Sequence, residues 1–285
     1  MKFTVTSERP GNVKTGCVIL GVYERRTLSS AAAEFDKTTG GLLKKVLKHG
    51  DMDGSSDQTV ILHYPEGAKC ERVMLVGCGK ASEFNVRAYQ KAVSSAAVAV
   101  NTTGTDDAVS YLAELEVPGR TGYQKVRALV EGTRSTAYTP DALKSKKDQT
   151  LRPIRRLAIG VDAADKTSAR QALTDGEAIA SGVELARTLG DLPGNICTPS
   201  YLADQARALG KSSDKLKVSV MNAAGMEKLG MGSLLSVSRG SRQPAKLITL
   251  KYDGGKASEK PVILVGKGVT FDSGGISIKP GAAMD

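Results

Sequence analysis

Short apolar runs alternate with helical stretches through the first half of the chain, and this alternation limits the possible folds more than any other feature. Alanine- and leucine-rich segments at 29–50 and 86–100 have helical composition. Between and after them lie short β-branched runs bounded by glycine, proline or charged residues. Alternation of this kind predicts a sheet covered by helices, so we expect an α/β fold. The predicted strands include FTVTS, CVILGVY, TVILHY, RVMLVGCG, VSYLAELEV and RRLAIGV.

A proline-free segment at 167–189 carries small and apolar residues at helical spacing, which predicts a helix about 35 Å long. The segment ends at Gly190, and DLPGN then supplies turn residues. A helix of that length between two α/β patterns is typical of a connector. The predicted organisation is therefore an N-terminal α/β domain at 1–166, a connector helix at 167–192 and a second α/β domain at 193–285.

The first predicted helix of the second domain begins at Thr198 and Pro199, which are a favourable cap and first helical position. A strand at 217–221, a short helix at 223–230 and two further strands, AKLITLKYDG and KPVILVGKGV, are predicted to follow. The last of these is apolar on both faces, as in a central parallel strand. The pattern predicts the beginning of a doubly wound sheet.

Basic residues exceed acidic ones by 40 to 30, and the excess is concentrated in one part of the chain. Ten basic and three acidic residues lie between Arg120 and Arg156. Such a stretch attracts polyanions, so one prediction is binding to double-stranded DNA through phosphate contacts. A solvated, lysine-rich surface is the alternative. The candidate DNA-binding residues are Lys144, Lys146, Lys147, Arg155 and Arg156.

The chain contains four cysteines without CxxC spacing and only two histidines, which disfavours a Cys/His zinc site. Buried free thiols are the expected state of Cys17 and Cys78, which lie in or beside apolar strand patterns. The longest apolar runs, such as 262–265, are far too short to span a membrane. Since the N-terminus also lacks an apolar signal segment, we expect a cytoplasmic protein.

The segment VILVGKGVTFDSGGISIKPGAAMD holds the strongest chemical signal. Lys267, Asp272 and Lys279 follow a predicted buried strand, at the edge where α/β folds place ligands. The segment is not a phosphate-binding loop, because Pro261 replaces the required glycine and Gly268 the required serine or threonine. On spacing alone, a structural turn with two solvent-facing lysines remains an alternative.

Within this segment, VGKGVTFDSGGISIKP closely resembles the metal-site signature of the leucyl aminopeptidase family. LARTLGDLPGNICTPSYLA and MGSLLSVSRGS resemble the same family in type and order. Residues 1–166 match only in length and in the order of strands and helices. The resemblance implies a macro-like N-terminal domain, a connector helix and the start of a zinc-exopeptidase-type α/β domain.

The resemblance also implies a role for each of three residues. Lys267 would bind one divalent ion through a neutral amine, and Asp272 would bridge two such ions, manganese or zinc. Lys279 would stay cationic and polarise the scissile carbonyl. The implied activity is the removal of N-terminal residues, leucine among the preferred, from peptides by a homohexamer, with bicarbonate as a possible base.

The sequence departs from the family pattern in one respect. The remaining carboxylate ligands, and the arginine that holds bicarbonate, have no counterpart up to Asp285. We therefore expect the 285-residue chain alone to have no peptidase activity. Two other functions compete with this one: a DNA-binding regulatory protein, and a macro-type domain that binds a nucleotide-like ligand such as ADP-ribose through residues 1–166.

Overall fold

The computed structural model describes residues 1–141, 143–145, 153–256 and 258–283. The chain forms two compact units, Met1–Leu185 and Ala186–Asp285, and the division falls inside a helix at Lys166–Asp191. The predicted long helix is therefore confirmed. Its role as a connector, and the predicted domain limits, stay predictions.

The first unit is built from alternating strands and helices, as the sequence predicts. Its strands are β1 (Lys2–Thr6), β2 (Val18–Tyr23), β3 (Thr27–Leu28), β4 (Thr59–His63), β5 (Arg72–Gly77), β6 (Asp107–Ser110) and β7 (Arg156–Gly160). Its helices are α1 (Ser30–Thr38), α2 (Leu42–His49), α3 (Val86–Val100), α4 (Gly122–Ala137) and α5 (Lys166–Asp191).

Among the described residues these strands form one seven-stranded sheet in the order β1-β7-β6-β2-β5-β4, with β3 paired to β2. The strands β1, β7, β6, β2 and β5 run parallel, whereas β4 and β3 are antiparallel to their neighbours. The carboxyl ends of β2, β6 and β7 therefore lie at the same edge of the sheet. Open α/β sheets bind ligands at this edge.

Helices cover both faces of the sheet, and this places β2 in the centre of the core. Ile19 belongs to the apolar cluster on one face, together with Tyr89 of α3 and Leu129 of α4. Leu20 belongs to the cluster on the other face, together with Phe35 of α1. Such two-sided burial is typical of parallel sheets and confirms the predicted α/β fold. Cys17 and Cys78 are free, buried thiols, as predicted.

One predicted strand of the first unit is shorter than expected. The sequence predicts a strand over 109–117, but β6 ends at Ser110 and a 3₁₀ turn follows at Leu112–Glu114. The side chains of Leu112 and Leu115 are buried in the core from this turn instead of from a strand. Alternating apolar residues satisfy either geometry, so the pattern alone does not distinguish them.

Polar contacts and close packing both join α4 to α5 within the first unit. Tyr123 Oη donates a 2.6 Å hydrogen bond to Asp175 Oδ2, and Arg134 forms an ion pair with Glu184. Between these contacts, a β-carbon at Gly176 would lie 3.0 Å from Val130 Cβ. The two helices therefore approach closely at a position where only a hydrogen atom fits without adjustment.

The second unit contains the helices α6 (Pro199–Gly210), α7 (Ala223–Lys228) and α8 (Gly232–Ser238) and the strands β8 (Leu216–Asn222) and β9 (Lys246–Tyr252). The two strands pair antiparallel with each other. Thr198 caps α6, since its hydroxyl accepts from Tyr201 N at 3.2 Å. The predicted α6, β8, α7 and β9 are thus confirmed.

The prediction of a central parallel strand at KPVILVGKGV is wrong. Residues 261–269 form no strand, and Val262 to Val265 are 78–94% exposed. The physical reason is the lack of a partner, because β8 and β9 pair only with each other among the described residues. A strand needs a neighbour for its backbone hydrogen bonds, however apolar its side chains are. The predicted doubly wound sheet is likewise not present in the described part of this unit.

No helix among the described residues is long and apolar enough to cross a membrane.

Candidate functional site

A tight turn brings together two of the three residues that the sequence singles out. An antiparallel bridge joins Gly274 to Ile278, and Lys279 N donates to the carbonyl oxygen of Ser273 at 2.9 Å. Gly274 has a φ angle of +87°, which a residue with a side chain rarely adopts. This geometry places Lys279 Nζ within 3.1 Å of Asp272 Oδ2, so seven positions of sequence separation become a direct contact.

Both oxygens of the Asp272 carboxylate have donors. Its Oδ1 accepts from Gly274 N at 3.0 Å, and its Oδ2 accepts from the ammonium group of Lys279. The pKa of Asp272 is lowered, first by the Gly274 hydrogen bond, then by the hydrogen bond and charge of Lys279 and finally by the charge of Lys267. All these contributions favour the ionised carboxylate. The structure therefore favours an ionised Asp272 in direct contact with Lys279.

The Asp272–Lys279 pair is open to solvent. The side chain of Lys279 is 47% exposed and that of Asp272 is 59% exposed. Solvent-exposed pairs of this kind add little to stability, because water and salt screen them. The pair is therefore better placed to meet a ligand than to hold the fold together.

Gly194 contributes to this site, although the sequence indicates only that it lies in a turn. A β-carbon at Gly194 would lie 2.5 Å from the carbonyl oxygen of Thr270, two residues before Asp272. The loop that follows α5 therefore touches the site segment through backbone atoms. Glycine in the DLPGN sequence predicts a turn, but only the structure reveals what that turn contacts.

The described residues do not complete a site for two metal ions. No group of three histidine, cysteine, aspartate or glutamate side chains lies close enough, within the described part of the chain, to hold one ion. Asp272 is the single side-chain carboxylate among the described residues of this segment, and Lys267 and Lys279 are its basic neighbours. Two divalent ions need several anionic or neutral donors around them. The described residues therefore fit a two-metal site only in part. Asp272 and Lys267 would supply two of its ligands, and the other ligands are not among these residues.

The predicted DNA-binding residues do not form an unopposed basic patch where the structure describes them. Lys144 Nζ lies 2.9 Å from Asp141, and the guanidinium groups of Arg155 and Arg156 lie 3.6 and 3.7 Å from Asp106 and Asp107. An acidic neighbour lowers the attraction of each cation for phosphate. Lys146 and Lys147 lie outside the described residues.

Comparison with known proteins identifies both parts of the sequence. Residues 19–147 match the N-terminal domain of the cytosol aminopeptidase family, and residues 184–285 match its catalytic domain. The chain belongs to the cytosol aminopeptidase family. The predicted resemblance is confirmed, and the site segment lies within the match to the catalytic domain.

Curated members of the family are similar over the whole chain. A probable cytosol aminopeptidase of Thioalkalivibrio sulfidiphilus is 50% identical over 286 residues, and one of Alkalilimnicola ehrlichii is 46% identical over 286 residues. Each match covers all of this chain and 58% of the relative. The chain thus spans little more than half the length of the curated relatives it matches.

Two solved structures have the same fold over most of this chain. The bottromycin maturation enzyme BotP in complex with Mn is 27% identical, with a TM-score of 0.72 over 95% of this chain and 52% of that one. A mutant of tomato leucine aminopeptidase gives a TM-score of 0.79 over 96% of this chain and 55% of that one. At 23% identity, the tomato enzyme supports the fold alone.

Proposed function

We propose that this chain belongs to a metal-dependent aminopeptidase that removes N-terminal residues, leucine among the preferred, from peptides. One observation carries the proposal: 50% identity over the whole chain to a probable cytosol aminopeptidase. The name of one structural relative supports the metal dependence, because BotP was solved in complex with Mn. The preference for leucine rests on the family resemblance of the site segment.

We assign the site residues as the family resemblance implies. Lys267 and Asp272 would contribute an amine and a carboxylate to bound manganese or zinc, which activates water for peptide hydrolysis. Lys279 would hold its positive charge where negative charge develops on the attacked carbonyl oxygen. The turn at Gly274 supports this assignment because it fixes Asp272 and Lys279 side by side.

The donor set of the described residues also supports a limit on this function. One carboxylate and one lysine amine cannot hold two divalent ions, so the remaining ligands would have to come from other residues. We therefore propose that the 285-residue chain alone releases no amino acid from peptides. A bicarbonate base and a homohexameric assembly stay proposals from the resemblance. So do the domain limits 1–166, 167–192 and 193–285.

The name of the family supports a cytosolic location, which we also propose. DNA binding is not proposed. The described candidates for it, Lys144, Arg155 and Arg156, each face an acidic side chain, and no relative reported above is named for nucleic-acid binding.

A chimera tests the function of these residues directly. The matching 286 residues of the Thioalkalivibrio relative are replaced by this chain, and release from a leucyl anilide is measured with Mn²⁺. We expect a kcat/KM within about tenfold of the unchanged relative, because binding geometry shared by two related sites preserves transition-state contacts. The proposal fails if the parent is active and the chimera folds but releases no leucine.

A further inference from the structure

The first unit contains a cavity of about 850 Å³ at the carboxyl edge of its sheet. Tyr23 ends β2, Ala113 lies in the turn after β6, and Val161 directly follows β7; all three line the cavity. The volume lies in the range of about 300–1,000 Å³ that is usual for small-molecule sites. Its position is the one at which open α/β sheets bind ligands.

The lining of this cavity is strongly acidic. Glu34, Glu114, Glu116, Asp162 and Asp165 all line it, against the single lysine Lys125. Lys125 Nζ already donates to the carbonyl oxygen of Leu115 at 2.8 Å. Outside the lining, Arg9 forms an ion pair of 3.2 Å with Glu34 and offsets one carboxylate in part. A positively charged ligand therefore has unmatched anionic groups to meet.

The pKa of Glu114 indicates that the carboxylates around the cavity lie close enough to repel each other. The pKa of Glu114 is raised to about 7, first by burial and then by the charges of Asp162 and Glu34, against the opposing effect of Lys125. A cation bound between such carboxylates stabilises their ionised forms, because it offsets their mutual repulsion. The acidic groups come from three different parts of the unit and surround the same cavity.

The helix termini at this cavity are already capped, which disfavours a phosphate ligand. The Ser29 hydroxyl accepts from Ala32 N at 3.3 Å at the start of α1, and Thr121 and Gln124 form a reciprocal capping box at the start of α4. Helix N-termini attract anions through unsatisfied N–H groups, and these caps occupy some of them. Together with the acidic lining, they oppose the predicted ADP-ribose site in residues 1–166.

The spacing of the carboxylates also disfavours a single metal ion. No three acidic, histidine or cysteine side chains of the described residues converge closely enough to hold one. Separate positive charges along an extended molecule suit such a spread arrangement. The rings of Tyr23 and Tyr123 line the cavity and can stack against an ammonium group, while Leu28 and Val126 offer apolar contact.

We propose that this cavity binds an aliphatic polyamine, with its ammonium groups against the five carboxylates and its methylene chain against the apolar wall. The cavity shares no lining residue with the site segment, because every residue that lines it belongs to the first unit and the segment belongs to the second. The ligand class follows from the charge, the spread of the carboxylates and the mixed lining together.

Calorimetric titration of the 285-residue chain with spermidine tests the proposal. We expect binding that weakens as salt is raised, since screening reduces each charge contact. The double variant Glu116→Gln/Asp162→Asn should bind spermidine roughly fivefold to tenfold more weakly. Glu116 and Asp162 are both exposed residues, so the fold should tolerate their substitution. A matched control, Asp51→Asn/Glu66→Gln, removes two exposed carboxylates that do not line the cavity.

Four results would each overturn the proposal. The first is no binding of spermidine up to millimolar concentration. The second is a control variant that loses as much affinity for spermidine as the cavity variant. The third is binding of Mg²⁺, at equal ionic strength, as tight as that of spermidine. The fourth is binding of ADP-ribose with an affinity that the cavity variant changes, which would assign the cavity to a nucleotide.

Discussion

Gly274 and Ser277 face each other across the turn that carries Asp272 and Lys279, and a β-carbon on Gly274 would lie 2.3 Å from the carbonyl oxygen of Ser277. Real β-carbons do not approach backbone oxygen so closely. The φ angle of +87° adds strain for any residue with a side chain. Gly274→Ala should therefore open the turn and separate the carboxylate from the ammonium group.

We expect Gly274→Ala to lower kcat/KM of the chimera by at least about tenfold, because a misplacement near 1 Å can cost about 100-fold. The neighbouring Gly275 provides a control, since a β-carbon there meets no atom within 4 Å. Gly275→Ala should keep most of the activity. Equal losses of kcat/KM in the two variants would show that activity does not depend on the backbone conformation at Gly274.

Substitution of the paired residues should abolish most of the chimera's activity. We expect Asp272→Asn and Lys279→Gln each to lower kcat at least about 100-fold, as the loss of one charge-stabilising group typically does. Because the side chains are 59% and 47% exposed, neither change should lower the thermal midpoint appreciably. Lys260→Gln removes an exposed lysine outside the turn and should leave kcat unchanged. Full activity in Lys279→Gln would remove that residue from the proposed site.

The 285-residue chain should show no metal-dependent stability. A ligand that binds only the folded state raises the midpoint of thermal unfolding, and its removal lowers it. Because one carboxylate and one lysine amine are too few ligands for tight metal binding, we expect EDTA or Mn²⁺ to shift that midpoint by less than about 1 °C. Leucine release from a leucyl anilide should also be undetectable. Chelator-sensitive release by the purified chain would contradict the proposed limit.

How far the sequence predicts the structure depends on whether neighbours in space are also neighbours in the chain. β2 and α3 follow from local periodicity, and the contact of Asp272 with Lys279 lies within eight residues. The exposed Val262 to Val265 look like a strand in the sequence, but a strand also needs a partner that no local pattern reveals.

The acidic cavity illustrates the opposite case. Glu34, Glu114 and Asp162 are far apart in the sequence, and they meet because β7, β6 and β2 are neighbours in the sheet. Nothing in the overall net charge of +10 predicts an acidic site. Strand order, which composition does not encode, decides where these charges lie.

Glu114 should make the stability of the first unit depend on pH. Its pKa is raised from 4.5 to about 7 in the folded chain, first by burial and then by Asp162 and Glu34, against the opposing effect of Lys125. Between these two values the folded state binds more protons than the unfolded state, so stability falls as pH rises. The contribution is fully present below pH 4.5 and is lost as pH rises through about 7.

Glu114→Gln stays neutral at every pH and should remove this loss. We expect the variant to be more stable than the wild type by about 1 kcal/mol at pH 8, a value reduced from the full shift because the side chain is partly solvated. The difference should shrink towards pH 4.5, where the wild-type carboxyl is protonated in the folded chain. Urea unfolding followed by circular dichroism at pH 4.5 and pH 8 measures both values. A pH-independent difference, or one matched by Glu66→Gln, would mean that the carboxylates around the cavity do not penalise the ionised form of Glu114.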